Sequence, residues 1–349
     1  MMRKYFLRAN TSSGCVSFFG DNLKDMKIIA VGGKSKKAKS RLLEAAAAEL
    51  EGNGFECEAA VSPFNIGFYD AVLSRGAALA VVDNGFLYEN VEFNTDDVLN
   101  MDKADEEYAA ELLKKRDNAL NNLYGEYEKA KKIHDEWESI YISNMDFERL
   151  NSFAESTIER LIQKESQNGK KAQYERFFGA STPDGSVNYI DNLTEGLERR
   201  YFIKGRPGTG KSTFLKRLAK AAQERGYDAE IYYCSFDRNS LDMVLLPELK
   251  FCVFDSTAPH ELFPSRSGDS ILDFYNESGL VGTDEKYGLR LDDIKSRYNF
   301  RVGEGRSNLR LACGYEEEAE YYYMKAADEN ALLDMGRALA EKIKKSVRQ

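Results

Sequence analysis

The chain has 349 residues, of which 42% are hydrophobic, 31% charged and 12% aromatic, with a formal net charge of -9. Six prolines and 26 glycines are too few for a fibrous or low-complexity chain, and the aromatic content is too high for general disorder. The length predicts two globular domains at about 100–200 residues each. The acidic balance argues against a broad nucleic-acid face, and no apolar run reaches the about 18 residues of a membrane span.

In chain order, the opening MMRKYFLRANTSSG carries positive charge with no apolar stretch of signal-peptide length behind it, so a cytoplasmic location is expected. Cys15, Cys57, Cys234, Cys252 and Cys313 are odd in number and fall in no CxxC or Cys/His spacing, which predicts buried thiols in place of disulfides or a zinc site. Residues 33–40 read Gly33-Lys-Ser-Lys-Lys-Ala38-Lys39-Ser40, and an acidic residue, Asp83, closes a later apolar run. Residues 101–168 then hold 16 acidic and 10 basic side chains, two-thirds of the net charge. Within them Tyr108, Leu112, Ala119, Leu123, Tyr127, Ala130, His134, Trp137 and Tyr141 recur at steps of three, four or seven, which predicts a long amphipathic helix. Asn144-Met-Asp-Phe147 breaks it, and Leu150, Ala154, Ile158 and Leu161 predict a second helix packing back as a hairpin over about 101–166. His134, Trp137 and the tyrosines read as helix–helix core, with a partner-binding arm as the functional alternative. The arm has neither the basic face for nucleic acid nor a cationic face for a membrane surface.

The second half carries the sharpest signal. A short apolar strand, Arg200-Tyr-Phe-Ile-Lys204, runs into Gly205-Arg206-Pro207-Gly208-Thr209-Gly210-Lys211-Ser212-Thr213, and a helix follows to Gly226. This is GxxxxGK[ST] in its strand–loop–helix context. The glycines let backbone N–H groups face phosphate oxygens, Lys211 reaches the β/γ-phosphates, and the Ser212 hydroxyl ligates Mg2+ at a helix N-terminus. The apolar run Lys250-Phe-Cys-Val-Phe-Asp255 predicts a buried strand that delivers Asp255 to the metal. Glu261 and His260 are candidates to orient or deprotonate an attacking water, with Asp237, Asp242 and Glu248 in the preceding loops. Arg206 and Arg266 are candidate charge-stabilising arginines. Residues 283–345 repeat the helical pattern, shortened and interrupted by Gly303, Gly305 and Gly314.

The chain also contains itself twice. Aligning residue i with i+172 gives identities at 14 of the 57 positions 33–89, among them Gly33/Gly205, Lys39/Lys211, Ser40/Ser212, Asp70/Asp242, Asp83/Asp255 and Glu89/Glu261. Upstream, Ala9 to Val16 mirrors Ala180 to Val187; downstream the offset grows to 182, pairing Glu138 with Glu320 and Asp146 with Asp328. In the first loop Lys36 stands where Gly208 stands and Ala38 replaces Gly210, which forfeits the φ > 0 freedom that wraps backbone around phosphate. Weak or absent binding is expected there. Since Glu89 is retained beside that impaired loop, Glu261 is the weaker of the catalytic candidates.

The runs RYFIKGRPGTGKSTFLKRLAKAAQERG, CSFDRNSLDMVLLPEL and VFDSTAPHELFPSRSGD closely resemble an uncharacterised family of bacterial tandem P-loop ATPases, frequent in Firmicutes, over essentially the whole chain. The family usually keeps both loops intact, so the first loop here departs from it. The resemblance implies an α/β fold of tandem P-loop NTPase repeats, each a mainly parallel sheet flanked by helices with a helical-hairpin attachment, over 1–168 and 169–349. It also implies ATP binding and hydrolysis. The leading expectation is therefore a Mg2+-dependent ATPase with one competent site, its catalytic residues Lys211, Asp255 and Glu261, its metal ligands Ser212 and Asp255, and its two repeats paired within the chain. A small-molecule or nucleotide kinase and a nucleotide-gated interaction module are the alternatives.

Overall fold

Strands buried on both faces read as continuous apolar runs, and Leu79-Ala-Val-Val-Asp83 and Leu241–Leu246 are wholly buried strands of that kind. They lie near the centres of two six-stranded sheets flanked by helices in a computed structural model, which describes residues 2–86, 90–166, 172–258 and 261–347. The first half comprises β1 (Arg3–Tyr5), β2 (Arg8–Thr11), β3 (Gly14–Ser17), α1 (Phe19–Leu23), β4 (Lys27–Gly32), α2 (Lys36–Gly52), β5 (Glu58–Val61), β6 (Tyr69–Ser74), β7 (Leu79–Asp83), β8 (Phe93–Asn94), α3 (Lys103–Ile142) and α4 (Phe147–Leu161). The second comprises β9 (Gln173–Arg176), β10 (Gly179–Thr182), β11 (Gly185–Asn188), α5 (Ile190–Leu193), β12 (Arg199–Lys204), α6 (Lys211–Glu224), β13 (Ala229–Tyr233), β14 (Leu241–Leu246), β15 (Phe251–Asp255), β16 (Asp269–Asp273), α7 (Phe274–Glu277), α8 (Thr283–Lys286), α9 (Gly288–Lys325) and α10 (Glu329–Val347).

The first sheet runs β1-β5-β6-β7-β4-β8 and the second β9-β13-β14-β15-β12-β16. Strand for strand the order is the same. So are the directions: β6 and β14 are antiparallel to both their neighbours, and the remaining pairs are parallel. Even the turn after the reversed strand matches, for Ala78 and Lys250 both take left-handed backbone, with φ of 48° and 49°. Within the second sheet β12 is bonded directly to β15, with Ile203 opposite Asp255. The glycine-rich loop and Asp255 therefore leave neighbouring strands at the carboxyl edge, where open α/β sheets form their ligand crevices.

α3 is 40 residues and α9 38, each close to 60 Å at about 1.5 Å per residue. They lie antiparallel, Ala109 and Leu112 against Ala319 and Tyr323 at one end and Ile140 and Tyr141 against Leu291 and Ile294 at the other. The expected interruption of the second helical region at Gly303, Gly305 and Gly314 does not occur, because α9 runs through all three. Gly305 has a packing reason: a Cβ built there would stand 2.4 Å from the Tyr127 ring. Gly303 and Gly314 face open space.

The expected hairpin is also replaced by something else. α4 does not return along α3; its Leu150, Ala154, Ile158 and Leu161 join the core of the second half with Phe214, Leu215 and Leu218 of α6. Reciprocally, Leu332, Leu339 and Ile343 of α10 pack on Leu42, Leu43 and Ala46 of α2 in the first half. Each half thus receives its outer helix from the other, so that neither apolar stripe is left facing water. Where the sheets meet, Phe6 and Phe177 exchange both backbone hydrogen bonds, at 2.8 and 2.9 Å. Beside them the buried Arg176 guanidinium lies within ion-pair distance of Glu58, at 2.9 Å, and of Glu230, at 3.5 Å.

Candidate functional site

β12 ends at Lys204, and the next helix cannot begin until Lys211 because Gly208 and Gly210 hold φ of 76° and 79°. Only glycine takes such angles without strain. The Thr209 hydroxyl, buried, donates to the Arg206 carbonyl at 2.8 Å and pins the curl. Pro207 is half-buried and Thr213 exposed. The Lys211 ammonium donates to the same Arg206 carbonyl at 2.7 Å and stands 3.6 Å from the Asp255 carboxylate. Ser212 accepts from the Leu241 backbone N–H at 2.9 Å, and Asp255 accepts from the Thr257 N–H and hydroxyl at 2.9 and 2.6 Å. Loop, lysine, hydroxyl and carboxylate are therefore brought together around the N-terminus of α6.

A second acid joins them. The β14–β15 register pairs Met243 with Phe254, so the next position sets Asp242 across from Asp255. Asp242 is 8% exposed, and burial together with the Asp255 charge pushes its pKa up to about 8. The Cys234 thiol lies beside it.

The corresponding place in the first half is closed by cations. Lys39 donates to Asp83 at 2.8 Å, and Arg8 grips Asp70 through two hydrogen bonds of 2.6 and 2.8 Å. The glycine-poor loop behaves as its residues dictate: α2 starts at Lys36, so Lys36 and Ala38 are helical where Gly208 and Gly210 are left-handed. The freed N-terminus of α2 holds an internal anion. Glu320, from α9, accepts the Lys36 N–H at 2.6 Å, the Lys37 N–H at 3.2 Å and the Ser35 hydroxyl at 2.7 Å. A carboxylate on a helix N-terminus is the arrangement that a phosphate would otherwise exploit.

The second loop has its own long helix above it. Glu138 of α3, aligned with Glu320, lies so close that a Cβ on Gly208 would meet its carbonyl oxygen at 2.8 Å, and one on Gly210 would meet Leu150 of α4 at 2.9 Å. The α3–α4 corner forms the roof. From the same helix Lys131 pairs with Asp135 and, at 3.3 Å, with Asp237. His134 sits among Trp137, Phe236 and Tyr298, its pKa pushed down to about 4 by burial and by Lys131. His134 and Trp137 are half-buried rings packed against Tyr298 of α9.

No family model, curated protein or solved structure matches this chain. Among the described residues no helix is long and apolar enough to cross a membrane.

The remaining candidates are dispersed. Arg206 is tied to Asp284 at 2.9 Å. Arg266 cannot serve the loop: it donates to Thr194 beside the amino end of β16, the opposite edge of the sheet, because the FPSRSGD segment precedes that strand. Glu248 is at that far edge as well, accepting from Ser166 at 2.8 Å. Glu261 is exposed, and its charge acts on Lys204. His260 and Glu89 lie outside the described residues. Sequence alignment does place Arg8 against Gly179 and Glu320 against Glu138, but nothing in a linear pattern says that Arg8 reaches Asp70 across the sheet or that α9 delivers Glu320 to the other half's helix.

Proposed function

We propose that the chain binds ATP with Mg2+ at Gly205–Thr213 and hydrolyses it, with one competent site in the second half and the first half as its closed internal partner. The observation that carries the reading is the pair of left-handed glycines, Gly208 and Gly210, ahead of Lys211 and beside Asp255, set against the helical residues 36–38 of the first half. The curled loop offers backbone N–H groups and a helix N-terminus to phosphate oxygens, and Lys211 is poised to exchange its Arg206 and Asp255 partners for the β/γ-phosphates. Ser212 and Asp255 would hold Mg2+, which supplies charge neutralisation to the transferring phosphoryl group. The acidic pair fits a cation, since among the described residues Asp242 is hydrogen-bonded by no lysine or arginine while Asp255 has Lys211 at 3.6 Å and Lys204 nearby. Glu261 takes no part in this reading. The equal strand order, the 172-residue offset and the mutual Phe6–Phe177 bridge support two copies of one unit about a local two-fold.

Nucleotide binding and single-turnover hydrolysis in the wild type, Lys211→Ala and Lys39→Ala test it. Lys211→Ala should abolish both, and Lys39→Ala should leave both in place; the reverse pattern would move the site to the first half. The roof favours a second reading, in which nucleotide binding chiefly moves the helical arms, because Glu138 and Leu150 occupy space next to the loop. Amide exchange that rises at residues 138–150 with ATP while phosphate release stays negligible supports the switch over the ATPase.

A further inference from the structure

We infer that Asp242 is the second carboxylate of a divalent-cation site, which it shares with Asp255 and Ser212. This rests on the nucleotide reading above and names a ligand that the loop motif does not contain. In the first half two opposed carboxylates, Asp70 and Asp83, are each answered by a buried cation, Arg8 and Lys39. In the second half the same two positions hold Asp242 and Asp255, and Lys211 is 3.6 Å from Asp255. The residue aligned with Arg8 is Gly179, since Ala9 aligns with Ala180. The guanidinium is therefore missing from the half whose loop is open, and among the described residues no cationic side chain hydrogen-bonds Asp242, although it is more than nine-tenths buried.

Asp242, buried beside the half-buried Asp255, lacks the direct guanidinium partner that Asp70 has, and a cation bound between the two carboxylates would offset their repulsion. The oxygens available are two carboxylates and the Ser212 hydroxyl, whose present donor, the Leu241 N–H, belongs to the residue next to Asp242. Hard oxygen donors of this kind select Mg2+ or Mn2+ over softer metals, and these ions keep further positions for phosphate oxygens and water. The cation thus takes the electrostatic place that Arg8 fills in the first half. Asp237 adds negative charge nearby but is already answered by Lys131.

The test is Mn2+ binding to the full-length chain, followed by electron paramagnetic resonance with and without ATP. Asp242→Asn should weaken Mn2+ binding by about tenfold or more, since even outer-shell partners of a metal cost that much when lost. Gly179→Arg, which restores the first half's arginine, should weaken it as well while raising the thermal midpoint, and so keeps the inference testable if Asp242→Asn fails to fold. Mn2+ affinities within twofold of wild type in both variants would overturn it. Should the wild type take up Mn2+ but no nucleotide, the nucleotide reading fails and the cation site stands. Should ATP and Mn2+ bind equally well to wild type and Asp242→Asn, the cation site fails and the nucleotide reading stands.

Discussion

The Glu320 carboxylate accepts the backbone N–H of Lys36 at 2.6 Å, joining the far end of one 38-residue helix to the first turn of the opposite half's loop helix. It makes the first loop a structural joint. Its loss removes the acceptor of two N–H groups at the helix start and leaves the buried Ser35 hydroxyl only the Met324 sulfur, at 3.4 Å, so Glu320→Ala should cost about 1–3 kcal/mol. Glu320→Gln, which keeps an acceptor, should lose less in urea denaturation. Removing the carboxylate does not recreate a phosphate loop, because residues 36–38 remain helical. ATP stoichiometry should stay at one per chain, and a rise to two in Glu320→Ala would contradict this account.

Gly208→Ala meets two obstacles at once, a left-handed φ and the Glu138 carbonyl at 2.8 Å. The backbone term alone is about 1–2 kcal/mol. Nucleotide binding, measured by calorimetry, should fall with the loop's curl, and an unchanged affinity would show that the N–H groups of this loop do not hold the phosphates.

The helical glycines should behave oppositely to one another. Replacing Gly by Ala inside a helix gains about 1 kcal/mol from propensity, and Gly303 and Gly314 have open space for the methyl. At Gly305 the Tyr127 ring is 2.4 Å away, and overpacking of about 1–3 kcal/mol outweighs that gain. Thermal midpoints should rise for Gly303→Ala and Gly314→Ala and fall for Gly305→Ala.

The junction between the sheets carries a pH dependence. Burial alone would push the Glu230 carboxyl up, but Arg176 and Arg3 hold it down at about 2, from an ordinary 4.5. A folded-state pKa below the unfolded one adds stability that is complete above 4.5 and lost as pH falls toward 2. Denaturant midpoints followed from pH 5 to pH 2 should drop for the wild type and drop less for Glu230→Gln. Arg176→Leu removes the buried one of the two arginines that Glu58 and Glu230 share, Arg3 being the other, and should cost about 1–3 kcal/mol at neutral pH.

Much of this was legible in the chain itself, because it depends on local chemistry. Glycine against lysine or alanine at positions 208/36 and 210/38 decides which segment curls and which turns helical. Spacing within Tyr108–Tyr141 decides the long helix, and the break at Asn144–Phe147 decides its end. Other features depend on where distant segments meet. A helical stripe states that it must be buried but not against what, so the passage of α4 and α10 onto each other's halves belongs to tertiary structure. So does the fate of charges: Arg8 lies 62 residues from Asp70, and Glu320 lies 284 from Lys36. By itself the sequence determined which of the two loops is able to curl through left-handed glycines. Only the packing of the two halves decided which carboxylates meet a buried arginine or lysine, as Asp70 and Asp83 do, and which do not, because the cost of a buried charge depends on its three-dimensional neighbours.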